Sequence, residues 1–590
     1  MTLVVVSIRS SKRRQPRGMH RTTTRRELAL AGPGAFVETR RHPALSPDAG
    51  GSSRRAATYT IAAVRVLIFH GYLLRGTGSN VYNAALGEAF VRAGHEVHLL
   101  CQDRAPLQLA WVDAAGDWDG GALELTVRRN PPRATAYRPD LGGLLPVYVA
   151  DSYDEVRAKP FPELTDDELA AYVERNVAAV AEVAARARPD VALANHLVMG
   201  PLILARALAG SGVPYAVKVH GSALEYTVKP HPRFLPAARE GLAGARGVLV
   251  GSRHTGESLW VALQEPGLED KTRLGPPGVD VDRFVPREPA AAAAGLASLR
   301  ERLETASGPP AAPGTPAAAR APSGEAPAAG RSSFARSTAE AAAALAALEP
   351  GRDRLVVYVG KLIASKGVEL LLAAWPLVLG RVPEARLMVV GFGAFREPLE
   401  GLAAALARGD LDGARALRAE DGRELPELAA FLDALGPEAA GYRAAAAGMA
   451  ARVHWAGRLE HEELADVLPA AEAMAMPSTF PEAFGMVAAE AAACGALPVV
   501  AGHSGMAEVA RALAAAAPPE VRPWLTFEVG PGAVTQLADA LVAWLEAPAD
   551  LRARTREAIV GVARERYSWD GVARSVIAAA EGRLDTLPRP

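Results

Sequence analysis

Short apolar runs alternate with amphipathic stretches along most of this chain. Residues 64–69 form a largely apolar run, which predicts a buried parallel strand. A glycine-bearing loop over 71–80, a helix over 81–93 and a second strand over 96–100 follow it. A strand, loop, helix and strand in this order are typical of a doubly wound α/β domain.

This rhythm continues to about residue 280 and begins again near residue 355. The first stretch predicts helices over 169–187 and 201–209 and strands over 191–195, 215–219 and 247–251. The second stretch predicts strands over 355–359, 387–390, 453–456, 473–476 and 497–500, with helices over 368–379 and 485–494. The chain is therefore predicted to be an α/β protein with two doubly wound, Rossmann-like domains.

Three segments interrupt the pattern. Residues 1–62 lack apolar periodicity and carry a large excess of basic residues, which predicts a disordered tail, with contact to anionic lipid or nucleic acid as the less favoured alternative. Residues 287–351 are a low-complexity insertion, rich in Ala and Pro, that predicts helix only at its ends. A second insertion, about 396–450, has the pattern of amphipathic helix.

Composition excludes several classes of protein. The net charge of −1 gives no overall attraction to nucleic acid. Cys101 and Cys494 are too far apart in sequence for a metal motif, and two cysteines do not make a disulfide framework. No run of about 18 uncharged apolar residues predicts a membrane-spanning helix, and residues 1–7 are too short for the apolar core of a signal peptide. We therefore expect a cytoplasmic protein.

The first candidate for chemistry is the loop Gly76-Thr77-Gly78-Ser79-Asn80 at the start of a predicted helix. Glycines let the backbone approach a ligand closely, and a helix N-terminus favours phosphate. A simple tight turn is an equally good interpretation. Position 81 is Val, so the full dinucleotide fingerprint is absent, which argues against an NAD-dependent oxidoreductase.

His220 is the second candidate, because it ends an apolar strand and is followed by Gly221 and Ser222. Ligands of open parallel sheets bind at the carboxyl ends of the strands. A lone histidine is more often structural, but this position favours a role in the site.

Lys361 and Lys366 lie five residues apart in the loop after the first strand of the second domain. Two cations in one loop repel each other unless an anion such as a diphosphate lies between them. Only seven of the 65 basic residues are lysines, so two in one loop indicate function rather than a solvated surface.

The strongest motif contains Glu482 and Glu490, eight residues apart. Glu482 lies in the loop before a helix, and Glu490 lies inside that helix among apolar residues. An unpaired charge there would be costly, so two merely exposed glutamates are a poor explanation. Carboxylates accept hydrogen bonds from sugar hydroxyls.

Together these motifs resemble the glycosyltransferase family 4 enzymes, which have the GT-B fold. The resemblance rests on the Glu482–Glu490 block, the Gly360-Lys361…Lys366-Gly367 loop, Pro277-Gly-Val-Asp280…Phe284 and Ser568-Trp569. It covers residues 63–286 and 352–585. It implies an acceptor domain over 63–286, a nucleotide-sugar domain over 352–559 and a helix over 560–585 that crosses back to the first domain.

The resemblance also implies roles for individual residues. Glu482 would bind donor-sugar hydroxyls, helped by the backbone N–H groups of Ala483, Phe484 and Gly485. Glu490 would bind the donor ribose, and Lys366 the diphosphate. Lys361 stands where the family usually has arginine. Lysine keeps the positive charge but lacks the bidentate geometry of arginine. The remaining assignments are His220 near the reacting sugar carbon, the Gly78 N–H at the donor phosphate and, more weakly, Asn80 and Arg253.

The implied reaction is the retaining transfer of a hexosyl unit from a nucleotide sugar, with UDP as the first choice of nucleotide, to an acceptor that the sequence does not identify. Small molecules, glycans and lipid-linked glycans all remain open as acceptors, as does peripheral membrane contact. Asp280 and Asp282 have the spacing of a metal motif, but they fall inside the family block, so we expect neither a required divalent ion nor another cofactor. A sugar-nucleotide epimerase of the same fold and a non-catalytic nucleotide-sugar binding protein are the alternatives.

Overall fold

The computed structural model describes residues 4–7, 63–76, 78–119, 121–148, 157–306 and 336–590. In this part of the chain the strands of the first domain are β1 (Val4–Ser7), β2 (Arg65–Phe69), β3 (Glu96–Leu100), β4 (Ala114–Asp119), β5 (Ala122–Val127), β6 (Ala134–Arg138), β7 (Leu144–Val147), β8 (Arg157–Pro160), β9 (Val191–Asn195), β10 (Tyr215–Val219), β11 (Gly247–Val250) and β12 (Thr272–Leu274). Those of the second domain are β13 (Arg354–Val359), β14 (Ala385–Val390), β15 (Val453–Gly457), β16 (Ala473–Met476), β17 (Leu497–Ala501) and β18 (Thr526–Phe527).

The helices alternate with these strands. In the first domain they are α1 (Ser79–Arg92), α2 (Asp166–Ala187), α3 (Gly200–Ala207), α4 (Gly221–Ala223), α5 (Leu235–Ala243), α6 (Arg253–Leu263) and α7 (Leu268–Lys271). In the rest of the described chain they are α8 (Pro289–Ala306), α9 (Thr338–Ala346), α10 (Val368–Arg381), α11 (Arg396–Ala407), α12 (Leu411–Arg415), α13 (Pro426–Ala434), α14 (Ala439–Ala446), α15 (His461–Val467), α16 (Met486–Ala493), α17 (Ser504–Ala516), α18 (Ala533–Glu546), α19 (Ala549–Arg566) and α20 (Trp569–Glu581).

The first sheet runs in the order β1-β5-β4-β6-β3-β2-β9-β10-β11-β12. Between β4 and β12 in this order, all neighbouring strands are parallel. Strand β5 is antiparallel to both of its neighbours, β1 and β4. The apolar strands β9, β10 and β11 are buried along their whole length, as expected where helices cover both faces. The strands between Ala114 and Pro160 have no counterpart in the sequence prediction.

The second sheet has the parallel order β15-β14-β13-β16-β17-β18. Strands β13 to β17 coincide with the predicted apolar runs, whereas β18 was not predicted. Helix α10 contributes the fully buried Trp375 to the core. Helices α11 to α14 occupy the predicted insertion over 396–450 and bury their own apolar side chains against this domain. The carboxyl ends of β13, β14 and β16 therefore form one edge, where ligands of such sheets bind.

The chain crosses between the domains twice. Residues after β12 lead into the second domain, and α20 returns to pack on α1 and on β9, β10 and β11. The two crossings touch each other, because Val279 N donates to Tyr567 O and Val279 forms a parallel bridge with Ser568. A side chain at Gly278 would overlap the indole ring of Trp569, so glycine is required at this close approach.

Two predicted segments differ in detail from the structure. Val4–Ser7 pairs with β5, so these four residues are not the structureless tail that the sequence predicts, while residues 8–62 lie outside the described part. In the insertion over 287–351, α8 and α9 bury Leu299, Leu303 and Leu345 in the core of the second domain. The two ends of this segment are therefore part of that domain, and residues 307–335 lie outside the described part.

No helix among the described residues is long and apolar enough to cross a membrane.

Candidate active site

A cavity of about 420 Å³ lies between the two domains. The first domain lines it with the loop before α1 and with the carboxyl end of β10, and the second domain with the ends of β13, β14 and β16 and the start of α16. Both sheets thus present their strand ends to the same space, because parallel strands end at one edge. Most of the residues predicted from the sequence line this cavity: Gly78, His220, Lys361, Lys366, Glu482, Ala483, Phe484, Gly485 and Glu490.

Lys366 and Glu482 form a direct ion pair on the wall of the second domain. Ser478 Oγ also donates to Glu482 Oε1 at 2.8 Å, and Glu482 N donates to Ser504 Oγ at 2.9 Å. Gly367, with φ of 64°, is the N-cap of α10 directly after the lysine, and a side chain there would overlap Pro477 O. The loops after β13 and β16 are thereby held together with the two charges in contact.

Glu490 is buried in α16 and faces the cavity. Its Oε1 accepts from His461 Nε2 at 2.7 Å, but its buried Oε2 has no hydrogen-bond partner among the described residues. Burial lowers the pKa of His461, yet the charge of Glu490 and this hydrogen bond outweigh it, so the pKa lies above its ordinary value. A buried carboxylate oxygen without a donor is a place where a ligand hydroxyl gains a hydrogen bond.

The helical insertion over 396–450 reaches the lysine loop through Glu420. Both carboxylate oxygens of Glu420 accept from Ala364 N, at 2.9 and 3.1 Å. Ala364 begins the short 3-10 helix that ends at Lys366. The insertion therefore contributes directly to the position of this cation, a role that its sequence does not indicate.

On the wall of the first domain, Gly78 is the N-cap of α1 with φ of 58°, and His220 is the N-cap of α4 directly after β10. His220 Nε2 lies 2.9 Å from Asn195 Oδ1, an acceptor, so this nitrogen carries the proton and Nδ1 does not. Burial lowers the pKa of His220 well below its ordinary value, and His196, Lys218 and His70 lower it further. His220 therefore faces the cavity as a neutral imidazole.

A chain of hydrogen bonds continues from His220 into the domain. Asn195 Nδ2 donates to Asn83 Oδ1 at 2.8 Å, and Asn83 Nδ2 donates to His70 Nδ1 at 3.0 Å. His70 Nε2 then faces two acceptors, Leu73 O at 3.0 Å and Asn80 Oδ1 at 3.1 Å. Every member donates in the same direction, so the chain fixes the tautomer of His220 at a distance.

His70 and His196 occupy positions equivalent to His220, and the sequence prediction did not select them. His70 directly follows β2 and His196 directly follows β9; in the sheet β9 lies beside β10 and β2 lies on the other side of β9. The ring centroids of His70 and His196 lie 5.8 Å apart. His196 is buried at φ of 68°, with both ring nitrogens unpartnered among the described residues, and its ring lies 4.8 Å from that of His220. A histidine after an apolar strand was the available signal.

Two weaker predictions lie elsewhere. Asn80 donates to Arg75 O and contacts His70, so it supports the hydrogen-bond chain and does not line the cavity. Arg253 pairs with Glu257 at 2.7 Å at an exposed position outside the cavity. Arg253 therefore does not line the cavity, and its assignment to the donor site stays a prediction.

The N-terminus of α6 makes the contact between domains instead. Arg253 N and His254 N donate to the two carboxylate oxygens of Glu508 on α17, at 2.9 and 3.0 Å. Nearby, a Cβ atom added to Gly221 would lie only 2.8 Å from Ala483 Cβ. Glycine at position 221 thus lets the loop that carries Glu482 lie against the first domain.

The carboxylate of Asp280 is engaged in hydrogen bonds within its own turn. Asp280 Oδ1 accepts from the backbone N–H groups of Asp282 and Arg283, both at 3.2 Å. Within the described part of the chain, no group of three or more His, Cys, Asp or Glu side chains is arranged to hold a metal ion.

Two facing Rossmann-like domains with the site at their strand ends define the GT-B class of folds. Two family models match the chain: a glycosyl transferase 4-like domain over residues 77–262, and glycosyl transferases group 1 over residues 436–560. Together they span more than half of the sequence, and one model lies in each domain. The chain belongs to the group 1 glycosyltransferases, with a family 4-like first domain.

Two curated relatives are similar to parts of the chain. An uncharacterised glycosyltransferase of Methanocaldococcus jannaschii is 24% identical over 40% of this chain and 47% of its own length. A GDP-mannose-dependent monoacylated alpha-(1-6)-phosphatidylinositol monomannoside mannosyltransferase of Corynebacterium glutamicum is 26% identical over 36% of this chain and 42% of its own length. The chain spans about half the length of these relatives.

Among solved structures, Anabaena HepE in complex with UDP and glucose is similar in fold. It has a TM-score of 0.50 and 15% sequence identity, and the match covers 88% of this chain and all of that one. At this identity the similarity concerns the fold alone.

Proposed function

We propose that this protein transfers a hexosyl unit from a nucleoside diphosphate sugar to an acceptor hydroxyl, with retention of the anomeric configuration. The observation that carries the proposal is the arrangement of the second-domain wall, where the Lys366–Glu482 ion pair and the unpartnered Oε2 of Glu490 line one cavity. These groups offer a cation for a diphosphate and carboxylate acceptors for sugar and ribose hydroxyls.

In the proposed complex the hydroxyls of the donor ribose donate hydrogen bonds to Glu490, whose other carboxylate oxygen already accepts from His461. The diphosphate lies by Lys361 and Lys366. The hexose forms hydrogen bonds with Glu482 and with the backbone N–H groups of Ala483, Phe484 and Gly485. A bound diphosphate competes with Glu482 for Lys366. Donor binding therefore exchanges the Lys366–Glu482 ion pair for two contacts with the donor, one from Lys366 to the diphosphate and one from Glu482 to the hexose.

In the proposed reaction the bond between the anomeric carbon and the phosphate oxygen breaks, and the electron pair leaves with the nucleoside diphosphate. The lysines stabilise this developing charge, which is usually the largest catalytic contribution in such sites. The acceptor oxygen bonds to the anomeric carbon on the face that the diphosphate leaves, and its proton passes to the departing phosphate oxygen. Neutral His220 orients the sugar, and no divalent ion or other cofactor is required.

The donor remains to be chosen by experiment. UDP-hexoses are the first choice, and GDP-mannose is the second because the mannosyltransferase relative is named for that donor. The acceptor is a small molecule, a glycan or a lipid-linked glycan. The site for it is the part of the cleft formed by the first domain.

The test is release of nucleoside diphosphate by the purified full chain from a panel of UDP-, GDP- and ADP-sugars, with and without EDTA. We expect release from one donor at a rate that EDTA does not change. Conversion of the donor sugar into another nucleotide sugar would indicate an epimerase, and donor binding without release under every acceptor would indicate a binding protein. Absence of both binding and release would overturn the assignment of the site.

A further inference from the structure

Lys218 is a buried lysine on the first-domain wall of the cavity, to which the proposed function assigns no role. It is the penultimate residue of β10, and its relative exposure is only 2%. It lines the cavity together with His220 and Tyr82. The chain has seven lysines, and three of them, Lys218, Lys361 and Lys366, line this cavity.

The ammonium group of Lys218 has no carboxylate partner among the described residues. Its Nζ donates to Gly275 O at 2.6 Å and lies 5.7 Å from the ring centroid of Tyr82. An ammonium group has three donors, so this contact leaves two of them unused. Burial alone lowers the pKa of Lys218 to about 7. A buried cation without a counter-ion is costly, and an anion that enters the cavity relieves that cost.

The hydroxyl group of Tyr82 is a second unused donor at this wall. Tyr82 lies in the first turn of α1, is buried and lines the cavity, and its hydroxyl has no partner among the described residues. The same turn of α1 contains no acidic residue, and Gly78 provides no side-chain cap, so no side-chain cap satisfies its first backbone N–H groups. Lys218 and the Tyr82 hydroxyl therefore both have unused hydrogen-bond donors at the same wall, beside a helix start without a side-chain cap.

We propose that Lys218 and the hydroxyl of Tyr82 form the first-domain half of the diphosphate site, opposite Lys361 and Lys366. This inference rests on the proposed function. A diphosphate carries more negative charge than two lysines neutralise, and Lys218 supplies a further cation that the phosphate oxygens reach only when the two domains face each other. The leaving group is then bound from both walls, so the same contacts that stabilise it also favour the closed cleft.

The proposal predicts that binding of a diphosphate takes up a proton at alkaline pH. An anion raises the pKa of Lys218, so near pH 8 the free enzyme carries mostly neutral Lys218 and the complex carries the charged form. The other titratable groups that line the cavity with Lys218 are Tyr82 on α1, His220 directly after β10 and, on the second-domain wall, Tyr358, Lys361, Lys366, Arg458, His461, Glu482 and Glu490. Burial raises the pKa of Tyr82 and lowers that of His220, so both stay neutral at pH 8.

The experiment is isothermal titration of the full chain with UDP and GDP at pH 8, in two buffers of different ionisation enthalpy. We expect wild type to take up roughly one proton with the nucleotide that binds. Lys218→Met removes this uptake and weakens binding by about 10-fold or more, as loss of a hydrogen bond to a charged group does. Lys218→Arg keeps much of the affinity but takes up no proton, which a purely structural role would not produce.

Lys271→Met is the matched control. Lys271 is half-buried in the same domain and donates to Leu242 O and Ala243 O, but it lies outside the cavity. This variant is expected to bind and to take up the proton like wild type. Uridine and UMP complete the series, because they test the ribose site without a diphosphate and are expected to give no uptake.

Three results would overturn the proposal. Lys218→Met, or Lys218→Arg if the first variant does not fold, could bind the nucleotide with unchanged proton uptake. Glucose 6-phosphate could cause the uptake while UDP and GDP do not, which would assign Lys218 to an anionic acceptor. Wild type could bind none of UDP, GDP and ADP, which would overturn the proposed function together with this inference.

Discussion

The two walls of the cleft handle charge in opposite ways. On the second-domain wall the ionised groups are paired, as Lys366 with Glu482, His461 with Glu490 and Arg458 with Glu460. On the first-domain wall the corresponding groups are neutral or uncompensated. His220 lines this wall and has a pKa well below its ordinary value, and Lys218 has no carboxylate partner in the described part of the chain. Behind the wall, burial also lowers the pKa of His196 and brings that of His70 to about 4.

This difference suggests a division of work between the domains. Paired charges keep carboxylates ionised and oriented in a partly buried site, which suits recognition of many hydroxyl groups. A neutral wall with unused donors is pre-arranged for charge that arrives with the substrate or develops in the reaction. The two walls are thus expected to respond differently to mutation, and four predictions test this comparison.

The largest effect is expected on the paired wall. Glu482→Gln keeps the shape of the side chain but removes its charge and leaves Lys366 without its ion-pair partner. We expect kcat/KM for nucleoside diphosphate release to fall by roughly 10³-fold, the range seen when one group that stabilises a transition state is removed. Lys366→Met should give a similar loss. Glu557→Gln, at an exposed position on α19, is the control and should retain wild-type activity, whereas equal activity in all three would contradict the account.

On the neutral wall we expect a smaller loss when the hydrogen-bond chain is cut. Asn195→Leu has a similar volume but cannot accept from His220 or donate to Asn83. Residues that orient an active group typically contribute 10- to 100-fold, so kcat should fall by about that factor while nucleotide affinity stays the same. Nitrogen-15 NMR of the imidazoles should also reveal a mixture of tautomers at His220. A single unchanged tautomer would refute the proposed role of the chain.

The contact between the walls is tested at Gly221. In Gly221→Ala the new Cβ would meet Ala483 Cβ at 2.8 Å, so the loop that carries Glu482 must move away from the first domain. Small misplacements in active sites reduce rates strongly, and we expect kcat/KM to fall by about 10-fold. Gly441→Ala is the matched control, since a Cβ at that helical position meets no atom within 4 Å. Equal rates for the two variants would mean that the contact does not limit closure.

The smallest effect concerns stability and depends on pH. The pKa of His461 is raised in the folded protein, so its pairing with Glu490 stabilises the fold fully below pH 6.5, and this contribution disappears as the pH rises through the raised pKa. His461→Gln should therefore lower Tm by a few degrees at pH 6 and by much less at pH 9, as expected for one hydrogen bond to a charged group. The same decrease at both pH values would argue against a charged pair.

The second-domain wall was largely predictable from the sequence, because its chemistry lies in short, continuous motifs. Lys361 and Lys366 share one loop, and Glu482 and Glu490 flank one turn from loop to helix. A single charged residue in an otherwise apolar helix such as α16 would be costly without a partner. The sequence alone shows this residue and so indicates a function for it. The insertion between α11 and α14 was predicted as helix for the same reason of local periodicity.

The first-domain wall was much less predictable, since it depends on which strands are neighbours. His70, His196 and His220 are separated by up to 150 positions and come together only because β2, β9 and β10 are adjacent in the sheet. In the sequence Lys218 has no feature that separates it from other strand residues. Its contacts with Gly275 O and the Tyr82 ring arise only in the folded protein. The strand Val4–Ser7 was missed because its pairing with β5 is non-local and its flanking sequence is strongly basic.

The anomeric configuration of the first product tests the central claim most directly. The full chain is incubated with its α-linked donor, identified by nucleoside diphosphate release, and proton NMR follows the first-formed sugar product with water or the acceptor as nucleophile. The account predicts that the α-anomer appears first, together with one equivalent of nucleoside diphosphate and without dependence on a divalent ion. A β-anomer as the first product would contradict retaining transfer at this cleft.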